Sequence, residues 1–139
     1  MTNETTYGNL TAVAATAYDG FGRAVSRTVT NAAGTVSTTA VVYDTLGNAV
    51  TNETTYGSLT AVTATAYDSQ GRAVSQTDAL GNAVATAYDR AGNVTAQSGA
   101  TYSATYQHDT AGRRTSMRTF RDENGEGDET RWEYDHATG

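Results

Sequence analysis

One short pattern governs this chain: an aromatic residue, then Asp, two variable residues, Gly, and then Arg or Asn. It recurs as Tyr18-Asp19 to Gly22-Arg23, Tyr43-Asp44 to Gly47-Asn48, Tyr67-Asp68 to Gly71-Arg72 and Tyr88-Asp89 to Gly92-Asn93. A variant with His runs from His108-Asp109 to Gly112-Arg113, one with Thr from Thr77-Asp78 to Gly81-Asn82, and a last copy opens at Tyr134-Asp135. A longer repeat lies over the short one: TNETTYGNLTAVAATAYDGFGRAV returns at Thr51 as TNETTYGSLTAVTATAYDSQGRAV, 49 residues on. Tandem self-similarity at this spacing is what stacked supersecondary units produce.

The physical reading of the unit is a chain reversal. Asp at the first turn position accepts a backbone hydrogen bond from two residues on. Gly at the fourth takes the left-handed conformation that closes a type I turn with a G1 bulge. Asn31-Ala-Ala-Gly34 reads as the same turn with Asn for Asp, and Tyr7-Gly8 and Tyr56-Gly57 as turns at the opposite end of the sheet. The stretches between alternate as strands do. In Leu59 to Tyr67, Thr and Tyr fall largely on one face and Ala and Val on the other. The expectation is an all-β fold of tandem antiparallel β-hairpins, about ten to twelve short strands forming one continuous sheet, curved or spiralling. The Tyr that ends a strand and the Arg that starts the next are expected to pair across one hairpin, Tyr18 with Arg23 and Tyr67 with Arg72, with the Tyr residues stacking into a ladder.

Composition narrows the partners. The net charge is -6 and the pI about 4.7, which disfavours nucleic acid and anionic membrane surfaces. No apolar stretch approaches a membrane span. Cysteine is absent, so there is no disulfide framework or thiolate metal site. Proline and lysine are absent as well, and these are the residues that commonly protect sheet edges, so the edges read as surfaces meant for pairing. Ile is missing and Leu occurs only at 10, 46, 59 and 80, which predicts a thin Ala/Thr/Tyr core.

Tandem Tyr-Asp-x-x-Gly-Arg/Asn units resemble the YD repeats of Rhs proteins, teneurin ectodomains and insecticidal toxin-complex C subunits, over essentially the whole chain. The resemblance implies hairpins winding into a hollow shell that encloses a toxic domain or forms a cell-surface scaffold, and an extracellular or cell-surface location. The Pro- and Asp-containing self-cleavage signature of the polymorphic toxins has no counterpart here. The array spans 1–139 as a single domain and begins and ends within a repeat, Met1 standing where Val50 stands in the second copy.

Other sites are sparse. Asp122, Asn124, Glu126, Asp128 and Glu133 have the oxygen spacing of an EF-hand calcium loop with Gly127 at the sixth position; an acidic hairpin loop between strands accounts for the same residues. His108 fills a Tyr slot and His136 lies near the chain end, so neither forms a nucleophilic arrangement, and no catalytic residue or other cofactor is assigned. Arg113, Arg114, Arg118 and Arg121 read as a solvated face pairing with the acidic segment that follows. Asn3, Asn9, Asn52 and Asn93 open glycosylation triplets. The leading expectation is a structural scaffold, either a shell segment or a self-associating fibre subunit. The alternatives are a carbohydrate- or cell-surface-binding module using exposed Tyr and Arg, and a protective cage for a toxin.

Overall fold

The computed structural model describes residues 2–7, 10–31, 33–120, 125 and 127–134, with the side chains of residues 1–12 left aside. Twelve strands form one sheet. They are β1 Thr2–Tyr7, β2 Leu10–Tyr18, β3 Ala24–Thr30, β4 Val36–Tyr43, β5 Ala49–Tyr56 and β6 Leu59–Tyr67; then β7 Ala73–Thr77, β8 Ala83–Tyr88, β9 Val94–Gly99, β10 Ser103–His108, β11 Arg114–Phe120 and β12 Asp128–Arg131. Their spatial order is their chain order, every neighbouring pair is antiparallel, and the described residues contain no helix. The meander follows from turns too short to do anything except reverse the chain onto its own neighbour.

The turns divide between two ends of the sheet. Asp19, Asp44, Asp68, Asp89 and Asp109 start the turns at one end, joining β2 to β3, β4 to β5, β6 to β7, β8 to β9 and β10 to β11. The register slips by one residue beside each: Ala17 faces Ser26 but Tyr18 faces Ala24, and the same happens at Tyr43, Tyr67, Tyr88 and His108. That slip is the bulge that a type I turn with a left-handed Gly requires. At the other end, Asn31 and Asp78 build the same hydrogen-bonded loop, and Gly57-Ser58 makes a two-residue connection in which Gly57 has φ 60°. The Thr77-Asp78 copy, which interrupts the repeat spacing in the sequence, is therefore a turn of the opposite end. Turn chemistry reports where the chain reverses and not at which end of the sheet it does so.

The thin Ala/Thr/Tyr core is replaced by something sparser. Among the described residues only Ala104 and Ser116 are buried, and no large side chain is fully enclosed. A sheet with no second layer has no interior, so both faces meet solvent and Val13, Val36, Val42 and Val62 stay exposed. Cohesion comes from the ladder and from cross-strand pairs such as Thr28 Oγ1 with Thr38 Oγ1 and Thr55 Oγ1 with Thr60 Oγ1, each at 3.2 Å.

Two glycines, Gly99 and Gly127, are fixed by their neighbours, since a Cβ at either would strike a backbone carbonyl. Gly99, with φ 112°, ends β9 where Ala100 N–H donates to Ala83 O at 2.7 Å, and a Cβ on Gly99 would strike that carbonyl. Gly20, in contrast, has open space around it. Gly99→Ala is expected to cost roughly 2 kcal/mol of unfolding free energy, whereas Gly20→Ala stays within about 0.5 kcal/mol of the parent. Urea denaturation followed by circular dichroism checks the pair, and equal effects at the two positions contradict the assignment.

Candidate functional site: the turn edge and its arginine–tyrosine links

The Asp68 turn shows how each hairpin tip is built. Gly71 N–H donates to Asp68 O at 3.0 Å and Asp68 N–H to Arg72 O at 3.0 Å, which closes the loop. The Asp68 carboxylate fills the inside: its Oδ1 accepts from Gln70 N at 2.9 Å and Arg72 N at 3.0 Å, and its Oδ2 accepts from Arg72 Nε at 2.7 Å. Asp19 and Asp109 repeat the arrangement with Arg23 and Arg113. Asp44 and Asp89 do so with an amide: Asn48 Nδ2 and Asn93 Nδ2 reach the Oδ2 position at 2.9 Å. Arg Nε and Asn Nδ2 thus deliver an N–H to the same oxygen, which is why the repeat accepts either residue after Gly. The Gly residues at 22, 47, 71, 92 and 112 all have positive φ.

These bonds stabilise the ionised carboxylate. Asp68 is held below the ordinary Asp value chiefly by the Arg72 backbone N–H, and Asp44 chiefly by the Asn48 side-chain amide. Asp19, Asp78, Asp89 and Asp109 are lowered in the same way.

The sequence points to Tyr18 with Arg23 and Tyr67 with Arg72 as partners inside one hairpin. The structure puts the partnership between hairpins instead. Arg23 lies 4.4 Å over the ring of Tyr43, Arg72 4.6 Å over Tyr88 and Arg113 4.4 Å over Tyr134. The bulge sets Tyr18 against Ala24, and the Asp19 carboxylate holds Arg23 Nε, so the guanidinium extends along the edge to the next tip. Arg72 Nη1 also donates to Asp89 O at 2.9 Å. Each Tyr hydroxyl returns the link by donating to a carbonyl of the preceding hairpin. Tyr43 reaches Ala24 O at 3.0 Å, Tyr67 Ala49 O at 3.1 Å, Tyr88 Ala73 O at 3.0 Å and Tyr134 Arg114 O at 2.8 Å. The expected Tyr ladder is thus a row of Tyr residues joined through carbonyls and, at alternate steps, through Arg.

His108 breaks the row. It occupies a Tyr position without a hydroxyl, and its Nδ1 is enclosed with no hydrogen-bond partner. Nearby, Arg114 lies 4.3 Å over Tyr106, whose hydroxyl donates to Gln97 Oε1 at 3.2 Å. Neither contact follows from the repeat pattern. The Arg-to-Tyr link does carry a sequence trace, because Arg and Asn alternate after successive turn Gly residues at 23, 48, 72, 93 and 113.

In the calcium-loop segment, Asp122, Asn124 and Glu126 lie outside the described residues. Asp128 pairs with Thr119 on β11, and Glu133 follows β12. Glu129 bonds Arg131 Nε at 3.1 Å and Arg118 Nη2 at 3.4 Å, and these contacts, Arg131 foremost, lower its pKa. No metal-binding cluster of His, Cys, Asp or Glu occurs among the described residues. A shallow open concavity of about 620 Å³ lies over Thr63, Thr65, Gln76 and Val84.

Residues 67–104 match the RHS Repeat family model. The chain carries an RHS repeat. The matched stretch opens at the Tyr67-Asp68 turn and runs to β10, and the Asp19, Asn31, Asp44 and Asp109 turns outside it close with the same backbone hydrogen bonds. No curated protein matches. Among solved structures, the crystal structure of TcdB2-TccC3-Cdc42 contains a chain similar in fold, with a TM-score of 0.61 at 16% identity. The likeness covers 78% of this chain and 6% of that one, so the chain spans a small fraction of its structural neighbour's length.

Two outcomes follow for the Asp-x-x-Gly turns. A carboxylate whose folded pKa lies below the ordinary Asp value contributes its full stability above that value and loses it as pH falls through the lower folded pKa. Strand signal in circular dichroism is therefore expected to fall away below about pH 4, and Asp68→Asn is expected to flatten that dependence; an unchanged slope would show that the turn carboxylate is not the acid-sensitive group. His108→Tyr is expected to raise unfolding free energy by about 1 kcal/mol, because it removes an unpartnered nitrogen and supplies a hydroxyl for the Val94 carbonyl. Chemical denaturation reads that gain, and a loss of stability would mean the slot is shaped for imidazole.

Proposed function

We propose that this chain is a segment of a structural wall, a β-repeat scaffold of the kind that RHS arrays build around or beside another domain. The observation that carries the reading is the link between hairpin tips. Tyr hydroxyls at 43, 67, 88 and 134 bond the preceding hairpin, and Arg23, Arg72 and Arg113 bridge onto the following one. This chemistry fixes one repeat against the next. The similarity to a short portion of a much longer chain in the TcdB2-TccC3-Cdc42 structure supports a wall segment over an isolated binding module. In this reading the surroundings are extracellular or cell-surface, as for RHS repeats generally, and neighbouring repeats or other chains of an assembly are the partners.

The carbohydrate-binding alternative draws on exposed Tyr and Arg. Arg23, Arg72 and Arg113 are already engaged by carboxylates and rings, which leaves Tyr18, Tyr56 and Tyr102 as the exposed Tyr candidates among the described residues. Hydrogen exchange on the chain is expected to show protected amides through β3 to β11, and a glycan array is expected to show no signal that depends on those three Tyr residues. Sugar binding abolished by their replacement with Ala, or amides exchanging as in an unfolded chain, overturns the wall reading.

A further inference from the structure

Within the described residues the sheet has two outer edges: β1 pairs only with β2, and β12 only with β11. The internal duplication says which strand would fit the first. β1 and β5 share the hexapeptide Thr-Asn-Glu-Thr-Thr-Tyr, and each meets its following strand in the same register. Thr2 faces Ala15 and Tyr7 faces Leu10 in one case, and Thr51 faces Ala64 and Tyr56 faces Leu59 in the other. The other edge of β5 is covered by β4, from Ser37 against Tyr56 to Val42 against Thr51. The β1 backbone therefore has the sequence and register to receive a β4-type strand.

β12 is such a strand. Tyr43, at the end of β4, lies under Arg23 and donates to Ala24 O. Tyr134, just beyond β12, lies under Arg113 and donates to Arg114 O. The backbone ladder of β12 continues past Arg131 through Trp132 N–H to Thr115 O at 2.9 Å. Placing Tyr134 at the position of Tyr43 puts Arg131 at the position of Ala40, whose β5 partner is Glu53. The residue of β1 equivalent to Glu53 is Glu4. A basic and an acidic residue then share one cross-strand position, an arrangement that favours pairing. In the single chain the Arg131 side chain is 75% exposed and bonds only its strand neighbour Glu129 among the described contacts.

We propose that copies of this chain associate head to tail, the β12 edge of one pairing antiparallel with the β1 edge of the next, with Arg131 opposite Glu4 and Thr130 opposite Thr5. The two edges differ, so the contact is heterologous and does not close on itself at two copies; it extends the sheet. The inference rests on the wall reading and adds how the wall lengthens.

Sedimentation velocity of the 139-residue chain across a range of concentrations tests it. The expected result is concentration-dependent assembly, weakened roughly tenfold by Glu4→Arg or by Arg131→Glu and restored in the variant carrying both. Because the chain has no cysteine, a mixture of Glu4→Cys and Arg131→Cys chains is expected to form an intermolecular disulfide on oxidation. A folded monomer at every concentration overturns the edge pairing and leaves the wall reading standing. Assembly that ignores both charge reversals and gives no disulfide also overturns it. Loss of strand signal in the parent chain overturns both readings.

Discussion

The carboxylate inside each Asp-x-x-Gly turn is the interaction on which this fold depends. A sheet with no second layer cannot rely on apolar burial to set its register, so local polar contacts must do it. Asp68 illustrates the economy of the arrangement. One oxygen organises the turn backbone, and the other orients the Arg72 side chain. With Nε held by Asp68, the guanidinium face is free to lie on Tyr88 and an Nη to reach the Asp89 carbonyl. A Lys at that position could not serve the three partners together, because an ammonium has neither the planar face nor the fork of donors. The absence of Lys from the chain agrees with this use of Arg.

Much of the fold is legible in the sequence. The Asp-x-x-Gly spacing fixes where the chain reverses, and alternation between reversals fixes the strands. What lies beyond the pattern is anything that depends on which hairpin meets which. Arg23 and Tyr18 are close in sequence and look like natural partners, yet the bulge displaces them and Tyr43 becomes the neighbour. Asp78 has the sequence of one kind of turn and the location of the other, because local hydrogen bonds carry no record of the sheet end. The shortage of Ile and Leu was a sound sign of little burial, and the structure carries it further than a thin core, to a single layer in which Ala104 and Ser116 stand out as buried.

The Arg/Asn alternation after the turn Gly gives the tips two strengths of attachment. Arg23, Arg72 and Arg113 reach a ring on the next hairpin, while Asn48 and Asn93 end near the backbone of Gly71 and Gly112. Tyr67 is held by its hydroxyl alone, and His108 lacks even that. Cation–π contacts are worth about 0.5–2 kcal/mol depending on solvation, so stiffness along the edge is expected to alternate with the sequence, with the softest joint beside His108.

The unbroken chain-order meander has a consequence for how such a molecule evolves. Since, among the described residues, every strand touches only those before and after it, the sheet behaves as a one-dimensional lattice whose free energy grows by unit and interface contributions. A block that begins and ends at equivalent joints can be copied or deleted by recombination without disturbing any distant contact. The near-identical segments starting at Thr2 and Thr51 have the form such an event would leave, and length in this architecture becomes a trait that drifts as freely as a surface residue.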